Sequence, residues 1–214
     1  RGPTTTEPAP TDSVSATASP RTAVTAEPTA PPTEPPPTPL AVIASLRAPL
    51  SPPWPAPGHS WYPIGGLDGR DPGALTAAAE AVLAWADEHA ADAASIAFLG
   101  FSQGGAMSLQ LLRLAPERVA FAVNLSGYAA GGALPGDAIL AETRPPVFWG
   151  RGSADEVIPE SAIAHTAEWL PEHSELIGRI YPGMGHSVSQ EELTDLHHFL
   201  TLRYATPTTA APAS

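Results

Sequence analysis

The chain has 214 residues, no cysteine and a formal net charge of −12, and all ten of its Lys+Arg cations are arginine, set against 22 Asp+Glu. That balance argues against a nucleic-acid binder, which clusters cations against phosphate. The missing thiols exclude a disulfide scaffold, a cysteine zinc site, an Fe–S cluster and a thiol nucleophile. No run nears the ~18 apolar residues of a membrane span, and no charged-then-apolar leader opens the sequence, so a soluble, cytoplasmic protein is expected.

Residues 1–40 hold eleven of the 27 prolines and ten threonines, with Val14, Val24 and Leu40 as their large apolar side chains. Such a stretch cannot bury enough surface to offset ~1–2 kcal/mol of backbone entropy per ordered residue. Residues 1–39 are therefore expected to be a disordered or polyproline-II-like tail, and 205–214 a second, shorter one. Between them, 40–204 has the composition of one globular domain.

Within that domain strands and helices alternate. LAVIASL (40–46) is a short apolar run, the pattern of a strand buried on both faces. A Pro/Gly/aromatic loop follows, from Arg47 to Arg70. Asp71 and Pro72 supply an N-cap and a first-turn proline, and Leu75, Ala78, Ala79, Val82, Leu83 and Ala86 give one apolar helical face down to about His89. SIAFLGF (95–101) predicts a second buried strand, and a helix runs from Gln103 to about Leu114, where Pro116 stops it. Strands are predicted at 119–125 and 146–150, a helix at 160–170 and a strand with β alternation at 174–181. Ser189 and Glu192 form a capping box opening a helix to about Tyr204, with Leu193, Leu196 and Leu200 inward. This order implies an α/β fold with a parallel sheet, whose chemistry sits at the carboxyl ends of the strands.

Three strand ends carry chemistry. Gly100-Phe101-Ser102-Gln103-Gly104 is G-x-S-x-G between a strand and a helix, the setting of a nucleophile elbow. The glycines there leave room for a sharp turn, Ser102 Oγ stands above the sheet, and the Gln103 N–H can face a developing oxyanion at the helix N-terminus. A serine hydroxyl needs a histidine base, itself oriented by a carboxylate. Asp155 follows the strand at 146–150 on a glycine-rich loop, and His186 follows the next strand in Gly-Met-Gly-His. The chain order Ser102, Asp155, His186 is the one such hydrolases use. Glu156 is an alternative orienter, with loop parity favouring Asp155. Asp137, in a Gly/Pro loop, reads as a turn residue. His89 and His173 lie near helix C-termini, His165, His197 and His198 on helices, and His59 in a loop, which leaves His186 as the candidate base. Leu50, Trp54, Trp61, Tyr62 and Ile64 make the long loop a candidate acyl pocket or a packed loop.

Four segments, SLRAPL (45–50), GFSQGGAMSLQLLRLAPERVAFAVNLSGY (100–128), GSADEVIP (152–159) and YPGMGHSV (181–188), resemble the phospholipase/carboxylesterase family of α/β-hydrolases, which includes acyl-protein thioesterases. The resemblance covers about 40–204. It implies an α/β-hydrolase fold and hydrolysis of a small-molecule carboxylic ester or thioester through an acyl-enzyme, without metal or organic cofactor. Its pattern falls on Ser102, Asp155 and His186, with Gln103 contributing a backbone N–H to the oxyanion hole. In the family further strands and a His-Gly loop precede the first strand found here, and nothing in residues 1–40 resembles them. An N-terminally incomplete sheet with one oxyanion donor in place of two is therefore expected. A catalytically impaired remnant, acting at most as a binding module, is the rival reading. Pro/Thr/Ala/Arg richness without lysine is what GC-rich coding read out of phase produces, and that origin is favoured for the tail over an unrelated extension.

Overall fold

The computed structural model describes residues 42–51, 58–63 and 72–204. The two expected tails, Asp71, Trp54 and Ile64 lie outside the described residues. All described residues belong to one compact unit, Val42–Ser214.

Helix α1 (Pro72–His89) is followed by strand β1 (Ile96–Phe101), α2 (Gln103–Leu114), β2 (Val119–Leu125), α3 (Pro135–Thr143), β3 (Pro146–Gly152), α4 (Glu160–His173), β4 (Glu175–Tyr181) and α5 (Gln190–Tyr204). The four strands form one sheet in the order β1-β2-β3-β4, and every neighbouring pair is parallel. Parallel strands cannot be joined by tight turns, so each crossover carries a helix. Because all four strands point the same way, the loops after β1, β3 and β4 open at one edge, where the three candidate residues lie. No described helix is long and apolar enough to cross a membrane.

Side-chain alternation sorts the core into two faces. On one face Ala122 of β2 and Val147 and Trp149 of β3 pack with Leu109 and Leu112 of α2, Leu140 of α3 and Leu170 of α4. A continuous cluster joins Met107 and Leu111 of α2 to Leu75, Ala79 and Val82 of α1, so the predicted apolar face of α1 is buried against α2. On the other face Phe121, Val123 and Leu125 of β2 and Phe148 of β3 meet Leu196 and Phe199 of α5.

Several expectations need correction. LAVIASL is not a strand over its described residues. Val42 and Ile43 are 90% and 89% exposed, and among the described residues the only isolated bridge is Leu50 with Ser60. An apolar run becomes a strand only where a neighbour accepts its N–H and C=O groups. Nor is β1 buried on both faces. Leu99 and Phe101 pair with Val123 and Leu125 and so share the α5 face, yet they are 55% and 40% exposed, because α5 packs over β2 and β3. The helix predicted to end at Leu170 continues through Pro171 to His173. Half of the capping box forms, with the Glu192 N–H donating to Ser189 Oγ at 3.0 Å. The Glu192 carboxylate does not close the other half. It is fully buried beside Gly150 and makes no hydrogen bond among the described residues. Burial raises its pKa, with the nearby Ser189 N–H pulling the other way. Leu193 is 45% exposed, and Phe199 takes the inward position beside Leu196.

Asp137 is not a turn residue. It sits in the first turn of α3, behind Pro135, and accepts the Leu134 N–H at 2.9 Å. Its carboxylate also receives Nε and Nη2 of Arg113, both at 2.8 Å. Arg113 is buried and donates to the carbonyls of Ala130 and Gly132 as well, so the pair ties α2, α3 and the loop between β2 and α3 together. Burial opposes the charge on Asp137, but the Arg113 and Leu134 hydrogen bonds and the guanidinium outweigh it and hold the carboxyl below its ordinary range.

Candidate active site

Ser102 occupies the junction between β1 and α2 with φ 56° and ψ −116°, a conformation L-residues seldom adopt. Its N–H donates to Leu125 O at 2.8 Å, which fixes the turn on the neighbouring strand. The flanking glycines differ in what they do. A Cβ on Gly100 would fall 2.6 Å from Gly104 Cα, whereas a Cβ on Gly104 would meet nothing within 4 Å. The second crowded position is Gly105, where a Cβ would lie 2.5 Å from Asn124 Oδ1 and 3.1 Å from Gly127 Cα. The elbow is thus closed by Gly100 on the strand side and by Gly105 where α2 meets β2.

The loops after β3 and β4 are fastened to each other. Ser153 N–H donates to Tyr181 O at 3.0 Å, Ala154 N–H to Met184 O at 2.9 Å, and Gly183 N–H to Ser153 Oγ at 2.8 Å. A Cβ on Gly152 would lie 2.6 Å from Gly185 O, so the loops approach this closely only with glycine there. Gly183 turns at φ +72°, which favours glycine.

This construction brings Ser102, His186 and Asp155 together in one line. His186 Nε2 is 2.8 Å from Ser102 Oγ, and His186 Nδ1 is 2.9 Å from Asp155 Oδ2. The other carboxylate oxygen, Oδ1, accepts the N–H groups of Val157 at 2.9 Å and Ile158 at 3.2 Å. Glu156 points to solvent, so of the two carboxylates it is Asp155 that meets the ring. The Asp155 side chain is only 2% exposed. Burial raises its pKa, but the hydrogen bonds from His186, Ile158 and Val157 and the imidazole's charge outweigh it and hold the carboxyl below the usual carboxylate range. An ionised carboxylate only accepts hydrogen bonds, so in the neutral ring the proton sits on Nδ1 and the Nε2 lone pair faces the Ser102 hydroxyl. The Phe101 ring packs on the imidazole at 4.9 Å between centroids.

Gln103 begins α2, where the first backbone N–H groups have no intrahelical acceptor and the helix dipole favours negative charge. Its side chain engages the loop segment Ser60–Tyr62. Gln103 Oε1 accepts the Trp61 N–H at 3.0 Å, Gln103 Nε2 donates to Tyr62 O at 3.0 Å, and the Ser60 hydroxyl, 3.2 Å from Gln103 Oε1, makes its shorter bond to Tyr62 O at 2.6 Å. Tyr62 itself is 1% exposed and belongs to the core between α1 and α2, its hydroxyl 2.9 Å from that of Tyr128. Of the loop residues singled out as pocket lining, Tyr62 is therefore a core residue, and Trp61 is half-buried against the same cluster. Among the described residues no group of three or more His, Cys, Asp or Glu side chains is arranged to hold a metal ion.

Residues 36–204 match the phospholipase/carboxylesterase family. A probable carboxylesterase of Oryza sativa subsp. japonica is 30% identical over 155 residues, covering 66% of this chain and 57% of that protein. Acyl-protein thioesterase 1 of Debaryomyces hansenii is 34% identical over 117 residues, 53% of this chain and 50% of that protein. The chain thus spans about half the length of these curated relatives. Among solved structures, Zea mays acyl-protein thioesterase 2 superposes with a TM-score of 0.57 at 23% identity, over 70% of this chain and 74% of that one. The likeness is one of fold, the α/β-hydrolase fold, with its parallel sheet between layers of helices. With most of its length matching that family, the chain belongs to the phospholipase/carboxylesterase family.

Proposed function

We propose that this chain is a serine hydrolase that cleaves carboxylic esters or thioesters of small molecules through an acyl-enzyme. The observation that carries the reading is the continuous hydrogen-bonded line from Ser102 Oγ through His186 to Asp155, with Nε2 as its open base. Ser102 Oγ attacks the acyl carbon as His186 Nε2 takes its proton. The tetrahedral intermediate holds its negative oxygen near the Gln103 N–H at the start of α2. On collapse the C–O or C–S bond breaks, and His186 returns the proton to the departing alcohol or thiol. Water then attacks the acyl-enzyme with His186 again as base, releasing the carboxylic acid and restoring Ser102. Asp155 stays ionised throughout, fixing the ring tautomer and stabilising the imidazolium.

A fluorophosphonate probe tests this, because phosphonylation requires an activated serine. The full chain is expected to label once, at Ser102, and Ser102→Ala to lose both labelling and turnover of a short p-nitrophenyl ester while keeping its circular dichroism. Absence of labelling in the folded parent, or turnover retained by Ser102→Ala, would refute the proposal.

A further inference from the structure

The side-chain amide of Gln103 makes three contacts that its place after the nucleophile does not require. Its oxygen accepts the Trp61 N–H, its NH₂ donates to the Tyr62 carbonyl, and the Ser60 hydroxyl lies 3.2 Å from the oxygen while its shorter bond, 2.6 Å, goes to Tyr62 O. All three partners lie more than 40 positions away in the chain, on a segment with no regular secondary structure. Ser60 is further joined to Leu50 by a backbone pair, at 2.8 and 3.1 Å. Tyr62 is anchored in the core, its hydroxyl meeting that of Tyr128. Between those anchors the Gln103 amide both accepts from the Trp61 N–H and donates to the Tyr62 carbonyl, and it belongs to the residue whose N–H faces the reacting carbonyl.

We infer that the Gln103 amide is a latch that holds the Ser60–Tyr62 backbone so that the half-buried Trp61 stands as one wall of the acyl or leaving-group site, which makes Gln103 a positioning residue through its side chain. The inference rests on the hydrolase reading given above. A carboxamide is the neutral group that offers an acceptor and a donor from one planar end, matching the Trp61 N–H and the Tyr62 carbonyl on the opposing segment. Helix α2 fixes the Gln103 peptide whatever side chain it carries, so the oxyanion N–H survives loss of the latch. Release of the wall therefore weakens substrate binding more than the chemical step.

The test uses the full chain with Gln103→Ala and Gln103→Glu. Hydrogen exchange at the Trp61 amide, protected by Gln103 Oε1 in the parent, should speed up at least about tenfold in Gln103→Ala. On a p-nitrophenyl ester the same variant should lose kcat/KM on the order of tenfold, mostly as a rise in KM. Gln103→Glu carries the acceptor at all pH but the donor only when protonated. Its KM should approach the parent's at the acid end and rise as the new carboxyl ionises against Tyr62 O, an ionisation absent from both the parent and Gln103→Ala. Unchanged Trp61 exchange in Gln103→Ala would overturn the latch, as would a loss confined to kcat or a Gln103→Glu profile parallel to the parent's. Should Gln103→Ala fail to fold, the KM profile of Gln103→Glu decides alone. If the parent neither labels nor turns over, the hydrolase reading has failed, and the exchange measurement alone still decides whether the latch exists.

Discussion

Replacing Asp155 with asparagine isolates the orienting carboxylate, and the structure fixes how the amide must sit. The Val157 and Ile158 N–H groups both point at one oxygen of Asp155, 2.9 and 3.2 Å away. They will hold the asparagine carbonyl in that place, turning its NH₂ toward His186 Nδ1, where the carboxylate now lies at 2.9 Å. A donor facing Nδ1 forces that nitrogen to accept, so the ring proton moves to Nε2 and the Ser102 hydroxyl loses its base. Turnover with the wrong tautomer is expected to fall by ~10⁴, about 5.4 kcal/mol of barrier. The fold should survive, because the amide matches the carboxylate in shape and keeps both backbone bonds. The assay is kcat on a short p-nitrophenyl ester together with the rate of fluorophosphonate labelling, alongside Glu156→Gln as comparator. Glu156 faces solvent, so its variant should stay within about twofold of the parent. An Asp155→Asn enzyme within about tenfold of the parent, with the large loss falling on Glu156→Gln, would refute the reasoning and make Glu156 the orienter.

Gly100→Ala should lower the melting temperature by several degrees, since its Cβ would enter the Gly104 backbone, while Gly104→Ala should be neutral or stabilising by up to ~1 kcal/mol. Equal melting temperatures for the two variants would contradict that asymmetry. Arg113→Ala should cost about 3–5 kcal/mol in denaturant unfolding, because it leaves the Asp137 carboxylate without its bidentate partner; a loss under about 1 kcal/mol would mean the pair is dispensable. Glu192 has a raised pKa from burial, so it stabilises the fold below the ordinary glutamate range, and that contribution is lost as pH climbs through the raised value. Glu192→Gln, which cannot ionise, should therefore melt above the parent near about pH 8 and close to it near about pH 4, and the reverse order would show that the buried carboxylate has a partner holding its charge.

What the sequence carried of the fold was its local periodicity. The helix at 103–114 and the strand at 119–125 appear where the pattern placed them, because α2 and β2 lie in the middle of the packing and their burial follows their own apolar spacing. The pattern failed where the environment decides. LAVIASL and the outer face of β1 are as apolar as β2, yet Val42, Ile43 and Leu99 are exposed, since no periodicity states whether a neighbour is present. Helix α3 was hidden behind its Pro-Gly opening. A proline in the first turn with an acid at the third position is also a helix start, and Asp137 carried that signal beside the turn-like one.

The candidate site divides along the same line. Ser102, Asp155 and His186 were legible because each follows its own strand by a few residues, so a parallel sheet necessarily delivers all three to one edge. The contacts that hold the site's backbone were not legible. Gly104, inside the G-x-S-x-G signature, has open space where a Cβ would be, whereas Gly105 outside it is pressed against Asn124 of β2 and Gly127 of the loop after it. The difference arises from where α2 crosses β2, a tertiary quantity that no spacing within 100–105 encodes. The Gln103 amide is the same case at longer range. Its three partners are backbone and hydroxyl groups of Ser60, Trp61 and Tyr62, and nearly every residue type carries the same N–H and C=O groups. Sequence can mark the chemistry a side chain brings to an edge of the sheet, but it is silent on which length of main chain that side chain will hold in place.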